Sequence, residues 1–221
     1  MSVHPPEDLQ RIYEARFART AEMRRGVWRI LIDDFFQPLV KANDAVLDLG
    51  CGYGEFINQI RCGRKLAMDL NPDARKQLQP EVELFSQDCS ATWPLAEESL
   101  DLVFTSNFFE HLPDKACLGR TLDEAHRCLK SGGRLIALGP NIRYLPGVYW
   151  DFWDHHVPLS DKSLAEALTN RAFVIEKSLP KFLPYSMAGG PKYPLFLVRA
   201  YLRLPFAWNV FGKQFLVIAQ K

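Results

Sequence analysis

The 221 residues are 48% hydrophobic and carry a net charge of +1, which is enough chain for one α/β unit with a sizeable core and too little for two. Seven basic and no acidic residues follow Glu176, and the first 176 residues carry a net −6, so a nucleic-acid backbone would meet an acidic body and is excluded as a partner. MSVHPPEDLQ has no basic-then-apolar leader pattern and no run of eighteen uncharged apolar residues occurs, so a cytoplasmic protein without a helical span is expected. The five cysteines, Cys51, Cys62, Cys89, Cys117 and Cys128, form no C-x2-C pair and are expected as free, mostly buried thiols.

Between Glu7 and Val40 the sequence is Arg-rich, with Ile12, Met23, Val27, Ile30, Leu31 and Phe35 at roughly helical intervals, which predicts one or two helices ahead of the core. Asn43 and Asp44 then turn the chain into AVLDLG, the pattern of a buried parallel strand. A helix is expected from Glu55 to Cys62, followed by KLAMDL as the second strand and a helix opened by Asn71 and Pro72. VELFSQD and SLDLVFTSN are the next strands, Asp114 caps a helix reaching Lys130, and Ser131-Gly132-Gly133 turns into RLIALGP. After an aromatic, irregular segment from Asn141 to Pro158, Ser160 or Asp161 caps a helix to Asn170, and AFVIEKSL and QFLVIAQK are the last strands. This alternation predicts an α/β fold with a seven-stranded, mostly parallel sheet, helices on both faces and an antiparallel last strand.

The strongest signal is VLDLGCGYGEF, which sets Asp48, Gly50, Gly52 and Gly54 at the end of the first strand. Glycines there let the backbone turn sharply and approach a ligand, while the amides that follow suit a carboxylate. Glu55 stands where a dinucleotide fingerprint needs its last glycine, so G-x-G-x-x-G fails. The spacing D-x-G-x-G-x-G instead resembles the first motif of the class I S-adenosylmethionine-dependent methyltransferases. Asp69 closes the second strand, Gln87-Asp88-Cys89 follows the third, and LDLVFTSNFFEHLPD and LKSGGRLIALGPN come in the family's order, so the likeness covers about residues 45 to 140. It implies a Rossmann-like sheet and S-adenosyl-L-methionine as cofactor. Its contacts would be Asp48, Gly50, Gly52, Gly54, Asp69 with Leu70, Asp88, Cys89 and Asn107, with Asp69 accepting from the ribose hydroxyls. The chain then divides into a helical extension (1–42), a cofactor-binding core (43–140) and an acceptor-side part with the C-terminal strands (141–221).

Methyl transfer chiefly needs alignment, but an acceptor hydroxyl must also lose its proton, and histidine is the natural base. His4 lies in the terminus and His126 in a helix expected to face away, which leaves His111, His155 and His156 as catalytic candidates. His111 follows Glu110 at the fourth strand's end, where E-H-L either begins a helix or serves catalysis. His155 and His156 sit where the family often contacts its acceptor, and Asp151 or Asp154 could orient an imidazole. These groups could also ligate a metal, but no spaced third ligand stands out, so none is expected.

Ser106-Asn107-Phe108-Phe109 lacks the Asn-Pro-Pro-aromatic signature of base amino-methyltransferases, which leaves small molecules, sugars and lipid-linked compounds as O-methylation acceptors. The alternatives are an inactive S-adenosylmethionine-binding regulatory partner, opposed by the intact glycine loop, and a nicotinamide oxidoreductase, opposed by Glu55. Finally, PKYPLFLVRAYLRLPFAWNVFG (191–212) is basic, aromatic and amphipathic. It is expected to form a short helix from Leu195 to Leu204 that either walls the acceptor pocket or makes peripheral membrane contact.

Overall fold

The computed structural model describes residues 21–185 and 194–221. The expectations for His4, for the helix ahead of Ala21 and for Pro191 to Tyr193 fall outside these residues. The apolar runs form β1 (Ala45–Leu49), β2 (Arg64–Met68), β3 (Glu83–Phe85), β4 (Leu100–Ser106), β5 (Leu129–Pro140), β6 (Val174–Leu183) and β7 (Gln214–Gln220). They lie in one sheet of order β3-β2-β1-β4-β5-β7-β6. The first five strands pair in parallel, and β7 runs antiparallel to both β5 and β6. Strand order reverses at β1, between β2 and β4, so the carboxyl ends of β1 and β4 flank the crevice in which open α/β sheets bind ligands.

Strand alternation sends side chains to both faces of the sheet, and each face is covered. Leu47, Leu49, Val103, Leu135 and Val217 pack beneath α3 (Lys115–Cys128) and α4 (Asp161–Thr169). Val46, Phe104, Ile136 and Ile218 pack beneath α1 (Ala21–Leu31) and α5 (Leu195–Leu202). Two of the expected caps form: the Asp114 carboxylate accepts from the Cys117 amide, and Ser160 makes a reciprocal capping box with Ser163. The Asn71 cap does not form as expected: Asn71 accepts from the Asp73 amide in the preceding turn, and α2 (Ala74–Gln77), a single turn, has Asp73 at its N-cap. A last helix, α6 (Pro205–Phe211), follows α5 directly.

Beyond β5, which begins at Leu129 and takes in Lys130 to Gly133 where the end of a helix and a turn were expected, two elements differ from expectation. The chain over Glu55 to Cys62 is wound without being a regular helix, because its amides alternate between partners. Asn58 and Ile60 donate four residues back while Gln59 donates three back, to Phe56. The Asn58 side chain also bonds the main chain at Gln77 and Gln79, which ties this segment to the end of α2. Second, α1 continues through a π-helical turn (Ile32–Phe36) into a 3-10 turn (Gln37–Leu39). That rewinding brings Phe36 and Trp28 edge-on to Phe104 of β4, whose ring stacks on Phe56 at 3.7 Å between centroids.

Candidate active site

The loop after β1 is built from backbone geometry. Gly50, Gly52 and Gly54 have φ of +70°, +53° and +71°, a region that side-chain-bearing residues rarely enter. At Gly50 a Cβ would lie 2.3 Å from the Phe108 ring, so the loop is in direct contact with the chain leaving β4. At Gly54 a Cβ would meet Leu78 at 2.5 Å and Asn58 at 2.9 Å, so this glycine admits the end of α2. The two aspartates also hold the loop. Asp48 is buried and accepts from the Ile57 amide, and its burial pushes its pKa well above the carboxylate range. Asp69 accepts from Gly52 at 2.7 Å through Oδ2 and from Asn71 at 2.8 Å through Oδ1. Burial raises its pKa, and the amides of Asn71, Gly52 and Leu70 oppose the rise.

These residues fit S-adenosylmethionine. The positive-φ loop is a cradle only glycine supplies without strain, and each Asp69 oxygen keeps a lone pair for a ribose hydroxyl. Asp88, past β3, is partly exposed and accepts from the Ser90 amide and hydroxyl. The Cys89 side chain is in the core under α3, where it accepts from the Thr121 hydroxyl. Asn107 is exposed at the end of β4 with φ +50°.

Phe108 leads into a 3-10 turn, Phe109–His111. Glu110 and His111 there meet the segment after β5, because the amides of His156 and Val157 both donate to the Glu110 carbonyl, at 2.8 and 3.1 Å. The His111 Nδ1 lies 3.0 Å from the Asp154 carbonyl and 3.2 Å from its Oδ2. Its Nε2 lies 3.9 Å from Glu110 Oε1. Burial would lower the His111 pKa, but the Asp154 hydrogen bond and the charges of Glu110 and Asp154 outweigh it and hold the value above ordinary histidine. Burial raises the pKa of Glu110. His155 is buried between Tyr149 and Phe152, with its ring 5.0 Å from that of His111.

The structure therefore joins His111 and His155 with Glu110 and Asp154, while His156 contributes its main-chain amide to the junction. Sequence reading named Asp154 as a partner for its immediate neighbours; its contact with His111 spans 43 residues. Glu110 was overlooked as a site residue. Its signal was a carboxylate beside a histidine at a strand's end, but the crossing that buries both could not be read locally. His126 lies elsewhere, with its ring edge-on to Phe173.

A family described as a methyltransferase domain matches residues 47–137. The demethylmenaquinone methyltransferase of Symbiobacterium thermophilum is 25% identical over 185 residues, 73% of each chain. A Mycobacterium tuberculosis protein described as an S-adenosylmethionine-dependent methyltransferase is 34% identical over 116 residues, 50% of this chain and 40% of that one. Two other curated relatives are spanned over 53% and 31% of their length, so the chain spans about half or less of most of these relatives. A crystal structure of such a methyltransferase from Archaeoglobus fulgidus superposes with a TM-score of 0.67 at 21% identity, covering 93% of this chain and 99% of that one.

Proposed function

We propose that the chain is a class I S-adenosylmethionine-dependent methyltransferase that O-methylates a small-molecule, sugar or lipid-linked acceptor by in-line transfer. When bound, the cofactor supplies a methyl group already activated on a sulfonium. The protein's part is to hold that group and the acceptor in line and to draw off the acceptor's proton. Gly50, Gly52 and Gly54 shape the cradle, Asp69 sets the loop and presents acceptor capacity to the ribose, and Asn107 stands at the adjoining strand end.

The observation that carries the reading is the His111–Asp154 pair beside the glycine loop. Nδ1 is engaged by Asp154, which orients the ring and raises the basicity of Nε2. A proton-accepting cluster has no task in an inactive binding partner, and this favours the enzymatic reading over the regulatory one. The test is methyl transfer from labelled S-adenosylmethionine to fractions of a cell extract, the lipid fraction included. Labelling should require the wild type and fall on the order of a hundredfold in His111→Ala or His155→Ala. Cofactor affinity should hold in both, and His156→Ala should keep most activity. Labelling of nucleic acid alone, or undiminished labelling by both variants, would overturn the reading.

The C-terminal helices support an amphiphilic acceptor. Among the described residues no helix is long and apolar enough to cross a membrane. Of the α5 and α6 residues only Leu202 and Ala207 are buried, while Phe196, Phe206, Val210 and Phe211 are 61–70% exposed. Arg203 and Lys213 are exposed beside them in a stretch without acidic residues. An apolar, basic surface of this kind suits an anionic bilayer.

A further inference from the structure

The cluster of Glu110, His111 and His155 offers one carboxylate oxygen and two imidazole nitrogens, all within 4.8 Å of one another. Glu110 and His155 are 3% and 6% exposed, and they come from two segments joined by main-chain bonds to the Glu110 carbonyl. We propose that these three side chains bind a divalent first-row metal ion, with Asp154 as the positioning residue that directs His111 Nε2 toward it. This rests on the preceding reading of the cluster as the acceptor end of the site.

Two observations converge. The first is the donor set: two imidazoles and a carboxylate suit zinc, manganese, iron or cobalt, and three protein ligands leave positions open. The second is orientation. Asp154 Oδ2 is 3.2 Å from His111 Nδ1, the carboxylate–histidine arrangement that fixes the ring and presents its other nitrogen to a metal. Nε2 and Glu110 Oε1 are 3.9 Å apart, too far for a hydrogen bond and a few tenths of an ångström wider than the roughly 3.3 to 3.6 Å between two ligands of a tetrahedral ion with bonds of about 2.0 to 2.2 Å, so an ion would draw the pair slightly together.

With the ion in place, Nε2 is a ligand and ceases to be a free base. A bound ion would supply Lewis-acid chemistry at this end of the site, lowering the pKa of an acceptor hydroxyl in an open position so that its proton could pass to solvent. The hydroxyl oxygen would then form the bond to the methyl carbon as the carbon–sulfur bond breaks and its electron pair stays on sulfur.

The test is a titration of the chelator-stripped full chain with cobalt(II) and zinc(II) alone, without cofactor or acceptor. One equivalent of cobalt should bind with a visible nitrogen–oxygen ligand-field band and no thiolate charge-transfer band. Glu110→Gln and His155→Ala should weaken binding by roughly a hundredfold or more, and Asp154→Asn by about 10- to 100-fold. Circular dichroism checks that each variant is folded, and a ligand-preserving Glu110→Asp should retain the band even where Glu110→Gln is unstable. No bound ion in the wild type, equal binding by folded Glu110 and His155 variants, or a thiolate band placing the ion at Cys89 and Cys117 would each overturn the proposal. Because no methyl transfer is measured, an ion bound by an enzyme that labels no hydroxyl acceptor would sink the O-methylation reading and leave the site standing.

Discussion

Gly50 joins the glycine loop after β1 to the turn after β4, and replacing it with alanine tests that junction. The substitution has two separable costs. A side chain at φ +70° pays about 1 to 2 kcal/mol for the left-handed conformation. The added Cβ would stand 2.3 Å from Phe108 Cγ and Cδ2, and displacing a packed ring costs about 1 to 3 kcal/mol more. Together Gly50→Ala should lose about 2 to 5 kcal/mol, a large share of a typical stability of about 5 to 15 kcal/mol. Urea unfolding monitored by circular dichroism measures this directly. The double variant Gly50→Ala, Phe108→Ala separates the parts, since removing the ring abolishes the clash and leaves the backbone cost. The double variant should therefore be more stable than the sum of the single effects by about 1 to 3 kcal/mol. Additivity within about 0.5 kcal/mol would refute the contact, and with it the physical link between the glycine loop and the turn after β4.

Asp69→Ala should weaken S-adenosylhomocysteine binding by about 1.5 to 3 kcal/mol in calorimetry through lost charge-assisted bonds, and an unchanged Kd would remove its ribose role. Asp101 accepts from the Ala45 amide and Lys130, both at 2.8 Å, and these partners outweigh burial and hold its pKa below the ordinary range. A depressed folded pKa stabilises above the unfolded value of about 3.9 and the benefit is lost as pH falls through the folded value. The stability advantage of wild type over Asp101→Asn should therefore shrink on acidification below about pH 4, and a pH-independent difference would contradict this. Wild-type protein should pellet with anionic vesicles in a salt-sensitive manner, while Arg203→Glu with Phe206→Ser and Phe211→Ser should stay in the supernatant. Arg199 is a poor choice for this test because it is bound to Asp34 at 2.8 Å. A wild type that stays soluble at low salt, or that elutes as a dimer through this surface, would refute membrane contact.

The strands were legible because each is a short apolar run punctuated by turn residues, and AVLDLG and QFLVIAQK carry their own boundaries. The strand of RLIALGP instead starts earlier, at Leu129, because Lys130 to Gly133 form a bulged strand extension where a helix end and a turn were expected. The antiparallel β7 was legible as a last strand, and its placement between β5 and β6 emerges only from pairing. Glu55 to Cys62 misled because its apolar spacing suits a helix, whereas Asn58 spends its side chain on Gln77 and Gln79 and the local bonds alternate between spans of four and three residues. The glycine loop declared itself by spacing. The histidine–carboxylate cluster did not, since Glu110 and His111 are separated from Asp154 and His155 by α3 and β5, and no local pattern records which residues a sheet crossing will bring together.

The stacked rings of Phe56 and Phe104, with Trp28 and Phe36 set against them, carry a consequence for how the cofactor loop keeps its shape. A loop that runs into a regular helix inherits stiffness from that helix; here the following segment is irregular, so its order is borrowed from aromatic contacts with the N-terminal extension and β4. The extension thus acts as a splint. Loosening α1 would soften the backbone under Gly52 and Gly54 before it disturbed the sheet, and amide exchange would quicken first between Cys51 and Ile60. Cofactor affinity in this protein is therefore partly a property of residues far outside its glycine motif, and trimming the chain to that motif's boundaries would remove what keeps the motif in shape.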